Sequence, residues 1–101
     1  MSENLIDLVK IIRERKNKSG DKSYTSSLLS GGLSKCIDKM EEEFGEFKEA
    51  LNKKSNVVHE AADTIYHILV TLEAGDIAFE DVLKELEDRK KQSGIEEKNN
   101  R

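Results

Sequence analysis

The stretch VVHEAADTIYHILVTLEA, Val57 to Ala74, decides how this chain folds. Val57, Val58, Ala61, Ala62, Ile65, Ile68, Leu69, Val70 and Leu72 cover most of a helix circumference, with no proline or glycine to interrupt them. A helix that is apolar nearly all round is a buried one. The narrow remaining strip holds Glu60, Asp63, Thr64, His67 and Thr71. Ionised carboxylates on a buried helix are costly unless they are paired or bind metal. The same stretch therefore predicts a central helix and marks two of its residues for chemistry.

Upstream, Leu33 to about Lys53 reads as a long amphipathic helix. Ile37, Met40, Phe44, Phe47 and Leu51 recur at intervals of three and four, a stripe suited to packing on other helices. Lys39, Glu42, Glu43 and Glu46 run beside it. Lys53-Lys54-Ser55-Asn56 makes the turn, with Ser55 or Asn56 as N-cap. Further upstream, Leu5, Leu8, Val9, Ile11 and Ile12 give residues 3–16 a helical spacing, and 17–22 reads as a loop. Ser23-Tyr24-Thr25 opens a short helical turn that Gly31-Gly32 ends. Downstream, Gly75-Asp76 closes the central helix. A last helix runs from Phe79 to about Lys91, its start weakened by Ala78 at the cap position. The expectation is an all-α bundle of four to five helices in one domain, residues 1–92, followed by a polar tail, 93–101.

Composition narrows the function. Charged residues are 38% of the 101, aromatics 5%, and proline is absent. So charged a chain, poor in aromatics, is expected to complete its core by oligomerising. A net charge of −4 argues against nucleic acid as partner, since phosphate backbones need a basic patch. No apolar run approaches the ~20 residues of a membrane span, and no signal-peptide core opens the chain. Cys36, the only cysteine, reads as a small core residue, and a reducing, cytoplasmic setting is expected.

The chemistry lies in two acidic clusters, Glu42-Glu43-Phe44-Gly45-Glu46 and Glu60-Ala61-Ala62-Asp63. Carboxylates at i and i+3 share one helix face. A short turn makes the two helices antiparallel neighbours, so Glu43 and Glu46 would meet Glu60 and Asp63. Four such carboxylates repel one another unless a hard divalent cation such as Mg²⁺ joins them. That pattern suggests a metal-dependent enzyme acting on a phosphorylated small molecule. Glu42, on the flank, would ligate or take a proton from an attacking water. Lys39 would contact substrate phosphate, or else pair with Glu43. His67 would support the ligands, bind substrate, or satisfy a helix interface. Ser23, Tyr24 and Thr25 offer three hydroxyls beside a helix start, either for phosphate or as a cap. His59 is read as a surface residue and Tyr66 as a packing residue with a partnered hydroxyl.

Glu42-Glu43-x-x-Glu46 followed by Glu60-x-x-Asp63 resembles the metal signature of the all-α, MazG-like nucleotide pyrophosphohydrolases. Ser23-Tyr24-Thr25 with Leu28-Leu29, Lys39-Met40-x-Glu42-Glu43 and Glu60-Ala61-Ala62-Asp63-x-x-Tyr66-His67-x-Leu69-Val70 resemble, within that group, the phosphoribosyl-ATP pyrophosphohydrolases. The tail Ser93-Gly94-Ile95-Glu96-Glu97-Lys98 resembles theirs too. Glu41, Phe44, Phe47 and Lys48 depart from that pattern without replacing a ligand. The resemblance implies a Mg²⁺-dependent homodimer that hydrolyses the α–β phosphoanhydride of 1-(5-phosphoribosyl)-ATP, the second step of histidine biosynthesis. It also implies that the next enzyme, a cyclohydrolase, is a separate chain. Two other readings remain: a house-cleaning hydrolase of non-standard nucleoside triphosphates, and a non-catalytic helical dimerisation module.

Overall fold

The computed structural model describes residues 2–16 and 23–91. They form five helices: α1 (Ser2–Lys16), α2 (Tyr24–Ser30), α3 (Gly32–Lys53), α4 (Val57–Ala74) and α5 (Phe79–Arg89). No strand occurs among the described residues. The loop expected over 17–22 and the tail from Gln92 lie outside them.

The long hairpin of α3 and α4 is the body of the fold. Its turn is tight: Lys54 and Asn56 both adopt left-handed backbone, with φ of 54° and 60°. Lys54 caps α3 through its own N–H, bonded back to the last turn of the helix. Asn56 takes the cap position of α4, although its side chain makes no cap hydrogen bond.

Two threonines fix the register of the hairpin. Thr64 Oγ1 donates to the Glu43 carbonyl at 3.3 Å, and Thr71 Oγ1 donates to the Cys36 carbonyl at 3.3 Å. Seven residues separate the donors on α4 and seven the acceptors on α3, so both bonds report one antiparallel alignment. Each hydroxyl also bonds the carbonyl four residues before it on α4, a habit that suits threonine inside a helix.

The core joins the other helices to one end of this hairpin. Val9 and Ile12 of α1, Leu28 of α2, Cys36 of α3, Leu69 and Val70 of α4 and Phe79 of α5 are all buried. Ile12, Leu28 and Val70 are each almost wholly enclosed, which contributes roughly 1.5–3 kcal/mol apiece. Polar bonds lock the joints. Ser23 caps α2 by accepting from the Ser26 N–H at 3.1 Å. Ser26 Oγ donates to the Arg15 carbonyl of α1, and Cys36 Sγ to the Leu28 carbonyl of α2. Arg13 reaches from α1 to Glu73 on α4 and Glu80 at the start of α5. Because Ala78 gives α5 no side-chain cap, the Arg13–Glu80 pair supplies an anchor there.

One expectation changes. The stripe Ile37, Met40, Phe44, Phe47 and Leu51 does not form the core contact of α3. Cys36 and Ala50 are the buried residues of that helix, while Phe44 and Leu51 stand 45% and 49% exposed. Nor is α4 buried all round within one chain: Val58 is 84% and Ile65 48% exposed. The physical reason is the threonine register, which turns the Cys36–Glu43–Ala50 face of α3 towards α4 and leaves Phe44 and Leu51 outside, with Ile37, Met40 and Phe47 half-buried.

Candidate active site

Glu43 stands on that inward face of α3, beside the Thr64 bond. Glu46 follows one turn later, and Glu60 comes across from the first turn of α4. One carboxylate oxygen from each of Glu43, Glu46 and Glu60 lies within 4.8 Å of the others. Glu43 Oε2 and Glu60 Oε2 are buried and have no hydrogen-bond partner. Buried polar atoms are nearly always paired, so two orphaned oxygens on carboxylates of one close group define a place short of positive charge.

The proton affinities agree. The Glu43 carboxyl is pushed above the usual range by burial, then by a shared hydrogen bond and the negative charge of Glu46. Glu60 is pushed up by burial first and then by the charges of Glu46 and Asp63, with His59 opposing. Both respond to crowding of negative charge that a divalent cation would relieve. An oxygen-only donor set of this kind fits Mg²⁺, and the residues present are therefore suited to the expected ion.

Asp63 lies one turn beyond Glu60, at the outer edge. It joins the cluster through His59, whose Nε2 is 3.2 Å from Asp63 Oδ2 and 3.9 Å from Glu60 Oε1. His59 thus touches two of the expected ligands, although nothing but its spacing marks it in the sequence. His59-Glu60-Ala61-Ala62-Asp63 places donors at i, i+1 and i+4, and i and i+4 share a helix face.

The expected substrate residues Tyr24 and His67 bond one another, and His67 also bonds the backbone of Asp63. His67 is buried, with Nδ1 2.8 Å from the Asp63 carbonyl and Nε2 3.0 Å from the Tyr24 hydroxyl. Tyr24 itself is half exposed. Burial raises its phenol pKa, Lys39 opposes, and Glu43, Glu42 and Asp63 add to the rise, which ties Tyr24 to the acidic cluster. Thr25 is buried, and its hydroxyl bonds that of Tyr66. Tyr66 therefore has a partner for the hydroxyl of its half-buried ring. Lys39 pairs with Glu42 at 3.3 Å rather than with Glu43. Glu42 is exposed on the flank of α3, outside the close carboxylate group. A cavity of about 310 Å³ opens next to Glu46 and Glu60, lined also by Lys53, Ser55 and Asn56 from the hairpin turn.

A helical hairpin whose two inner faces converge carboxylates, with a phenol and a lysine at the rim, defines an all-α hydrolase of phosphoanhydrides. The chain is more closely placed by its relatives. Residues 5–90 match the family model described as phosphoribosyl-ATP pyrophosphohydrolase, and the chain belongs to that family. It is 42% identical over 100 residues to the phosphoribosyl-ATP pyrophosphatase of Rhizobium etli (strain CIAT 652), covering 97% of this chain and 94% of that one. It is 44% identical over 96 residues to the phosphoribosyl-ATP pyrophosphatase of Ruegeria pomeroyi (strain ATCC 700808 / DSM 15171 / DSS-3), covering 93% and 91%. A longer relative is the histidine biosynthesis bifunctional protein HisIE of Helicobacter hepaticus (strain ATCC 51449 / 3B1). It is 46% identical over 99 residues, 96% of this chain and 43% of that protein. No helix among the described residues is long and apolar enough to cross a membrane.

Proposed function

We propose that this chain hydrolyses the α–β phosphoanhydride of 1-(5-phosphoribosyl)-ATP, releasing phosphoribosyl-AMP and pyrophosphate in the second step of histidine biosynthesis. The observation that carries this reading is the pair of orphaned, buried oxygens of Glu43 and Glu60, in a chain that matches the family over nearly its whole length. Glu43, Glu46, Glu60 and Asp63 are the residues that would hold Mg²⁺. Bound there, the ion would polarise a phosphoryl oxygen, orient the diphosphate and acidify a water.

The remaining roles fall to the rim. Glu42, exposed on the flank of α3, accepts the proton of the attacking water as the bridging P–O bond breaks. Lys39 exchanges its Glu42 contact for a substrate phosphate oxygen. Tyr24 offers a half-exposed ring and hydroxyl to the substrate, supported from beneath by His67. Ser23 and Thr25 act from the start of α2, Thr25 through Tyr66 and Ser23 as the cap, so that they hold Tyr24 in place.

The same reading includes a homodimer, because Phe44, Leu51, Val58 and Ile65 leave an apolar face outside the single chain. A cytoplasmic setting goes with Cys36 as a free, buried thiol.

The test is pyrophosphate release from phosphoribosyl-ATP with and without Mg²⁺, with dATP and dUTP run alongside. Mg²⁺-dependent release confined to phosphoribosyl-ATP is expected. Faster release from dATP or dUTP would move the chain to a house-cleaning role, and no release from any of the three would overturn the enzymatic reading.

A further inference from the structure

We infer that Arg15, in the last turn of α1, binds the 5′-phosphate of the phosphoribosyl arm and so separates this substrate from ordinary nucleoside triphosphates. The inference rests on the reading above, in which the triphosphate lies at the carboxylates, and concerns the other end of the same molecule.

The substrate carries phosphate at two ends, a triphosphate and a monoester on the second ribose. An ion held by Glu43, Glu46 and Glu60 serves the first. The second needs a cation of its own, set apart from acids that would repel it. A row of rings leads away from those acids. Tyr24 and Tyr66 both meet His67 edge to face, with centroids 5.9 Å and 5.7 Å from it. Tyr24 feels the charges of Glu43, Glu42 and Asp63. The ionised side chain that acts on Tyr66 is Arg15.

Backbone contacts put Arg15 at that end of the row. It follows the buried Ile12 by three residues, and so shares the inward face of α1. Its carbonyl accepts from Ser26 Oγ at 3.2 Å. Ser26 is the neighbour of Thr25, whose hydroxyl bonds that of Tyr66. The Arg15 side chain is half-buried. Burial raises the Tyr66 phenol pKa and the positive charge of Arg15 opposes the rise, as Lys39 does at Tyr24. The row therefore has a cation at each end, Lys39 beside the acids and Arg15 at α1. The nearby cations of α1 serve another place: Arg13 pairs with Glu73 and Glu80, and Lys16 with Asp76. A guanidinium suits a phosphate monoester, since it stays charged and offers paired N–H donors in a planar fork.

The experiment measures pyrophosphate release at saturating Mg²⁺ by the full-length protein, Arg15→Gln and Arg15→Lys. Each is given phosphoribosyl-ATP and its dephosphorylated counterpart, 1-ribosyl-ATP. The parent should use ribosyl-ATP with kcat/KM lower by about tenfold to a hundredfold, the scale of one charge-assisted contact. Arg15→Gln should lose the same factor on phosphoribosyl-ATP and nothing on ribosyl-ATP, because the contact is then missing already. Arg15→Lys, which keeps the stem and the charge, should recover part of the loss on phosphoribosyl-ATP alone. Equal losses on both substrates in both variants overturn the inference and leave Arg15 a structural residue. So does an Arg15→Gln protein unimpaired on phosphoribosyl-ATP, or a parent that uses the two substrates equally well. A parent that releases pyrophosphate from neither overturns the proposed function itself.

Discussion

The Tyr24 hydroxyl donates to His67 Nε2. The direction follows from the other side of the ring, where Nδ1 lies 2.8 Å from the Asp63 carbonyl. A carbonyl only accepts, so Nδ1 carries the proton, and in the neutral imidazole Nε2 is left as the acceptor 3.0 Å from the phenol. One imidazole therefore links the first residue of α2 to the backbone of an expected metal ligand on α4. The rings meet edge to face as well, with centroids 5.9 Å apart.

Removing the phenol hydroxyl should expose the value of that link. Tyr24→Phe keeps the ring and strands a buried acceptor, which costs about 1–2 kcal/mol. Urea unfolding should show this as a lower midpoint at unchanged slope. If Tyr24 also meets substrate, KM should rise in the same variant. A midpoint within experimental error of the parent would mean that His67 does not depend on Tyr24.

Glu43→Gln and Glu60→Gln separate chemistry from stability. Each retains shape and removes one of the negative charges that crowd the site. Turnover should fall by about a hundredfold or more, the scale of losing a metal-binding or charge-stabilising group. In EDTA the melting temperature should equal or exceed that of the parent, because the lost charge was buried and orphaned. Variants that keep full turnover would remove these residues from the site.

Metal-free protein should have its highest stability on the acid side of neutrality. Glu43 and Glu60 bind protons more tightly folded than unfolded, so their contribution declines as pH climbs from the ordinary glutamate value through their raised ones. Glu80 runs the other way. The Arg13 guanidinium holds its carboxyl down at about 2, so its contribution is full above the ordinary value and fades as pH falls towards 2. Thermal melts in EDTA should therefore peak near pH 5 (roughly the ordinary carboxylate range). Saturating Mg²⁺ should raise the neutral limb selectively, and Glu80→Gln should flatten the acid limb. A melting temperature that rises steadily to neutral pH in EDTA would contradict the crowding of Glu43 and Glu60.

The helices were legible in the sequence because their signals are local. Gly31-Gly32, the Lys54–Asn56 turn and Gly75 punctuate them, and the structure ends or begins a helix at each. The carboxylates were legible as well, since i and i+3 spacing on two adjoining helices leaves few ways for Glu43, Glu46 and Glu60 to avoid one another. What periodicity did not give was direction. The strongest apolar stripe of α3 reads as the core face, yet Thr64 and Thr71 settle the register, and their reach to backbone carbonyls brings in the face with Cys36 and Ala50. Hydropathy says that a stripe wants cover but not what covers it. Two pairings escaped for a related reason: the Thr25 hydroxyl is satisfied by Tyr66, distant in sequence, and the His59 imidazole meets Asp63 only once both side chains are placed.

The uncovered stripe makes the last prediction. Leu51 and Val58 flank the hairpin turn, and Phe44 and Ile65 lie two helical turns further along on α3 and α4. All four are large, apolar and between 45% and 84% exposed. Such a face on a small chain is expected to pair with its own copy, since isologous contact covers both faces with one surface. Sedimentation equilibrium should return the mass of a dimer. Ile65→Glu places a charge on that surface and should shift the protein to monomer, with helical content retained at one end of the fold by the core around Ile12, Leu28 and Val70. If Ile65→Glu remains dimeric, or the parent protein is monomeric at micromolar concentration, the stripe is not the pairing face.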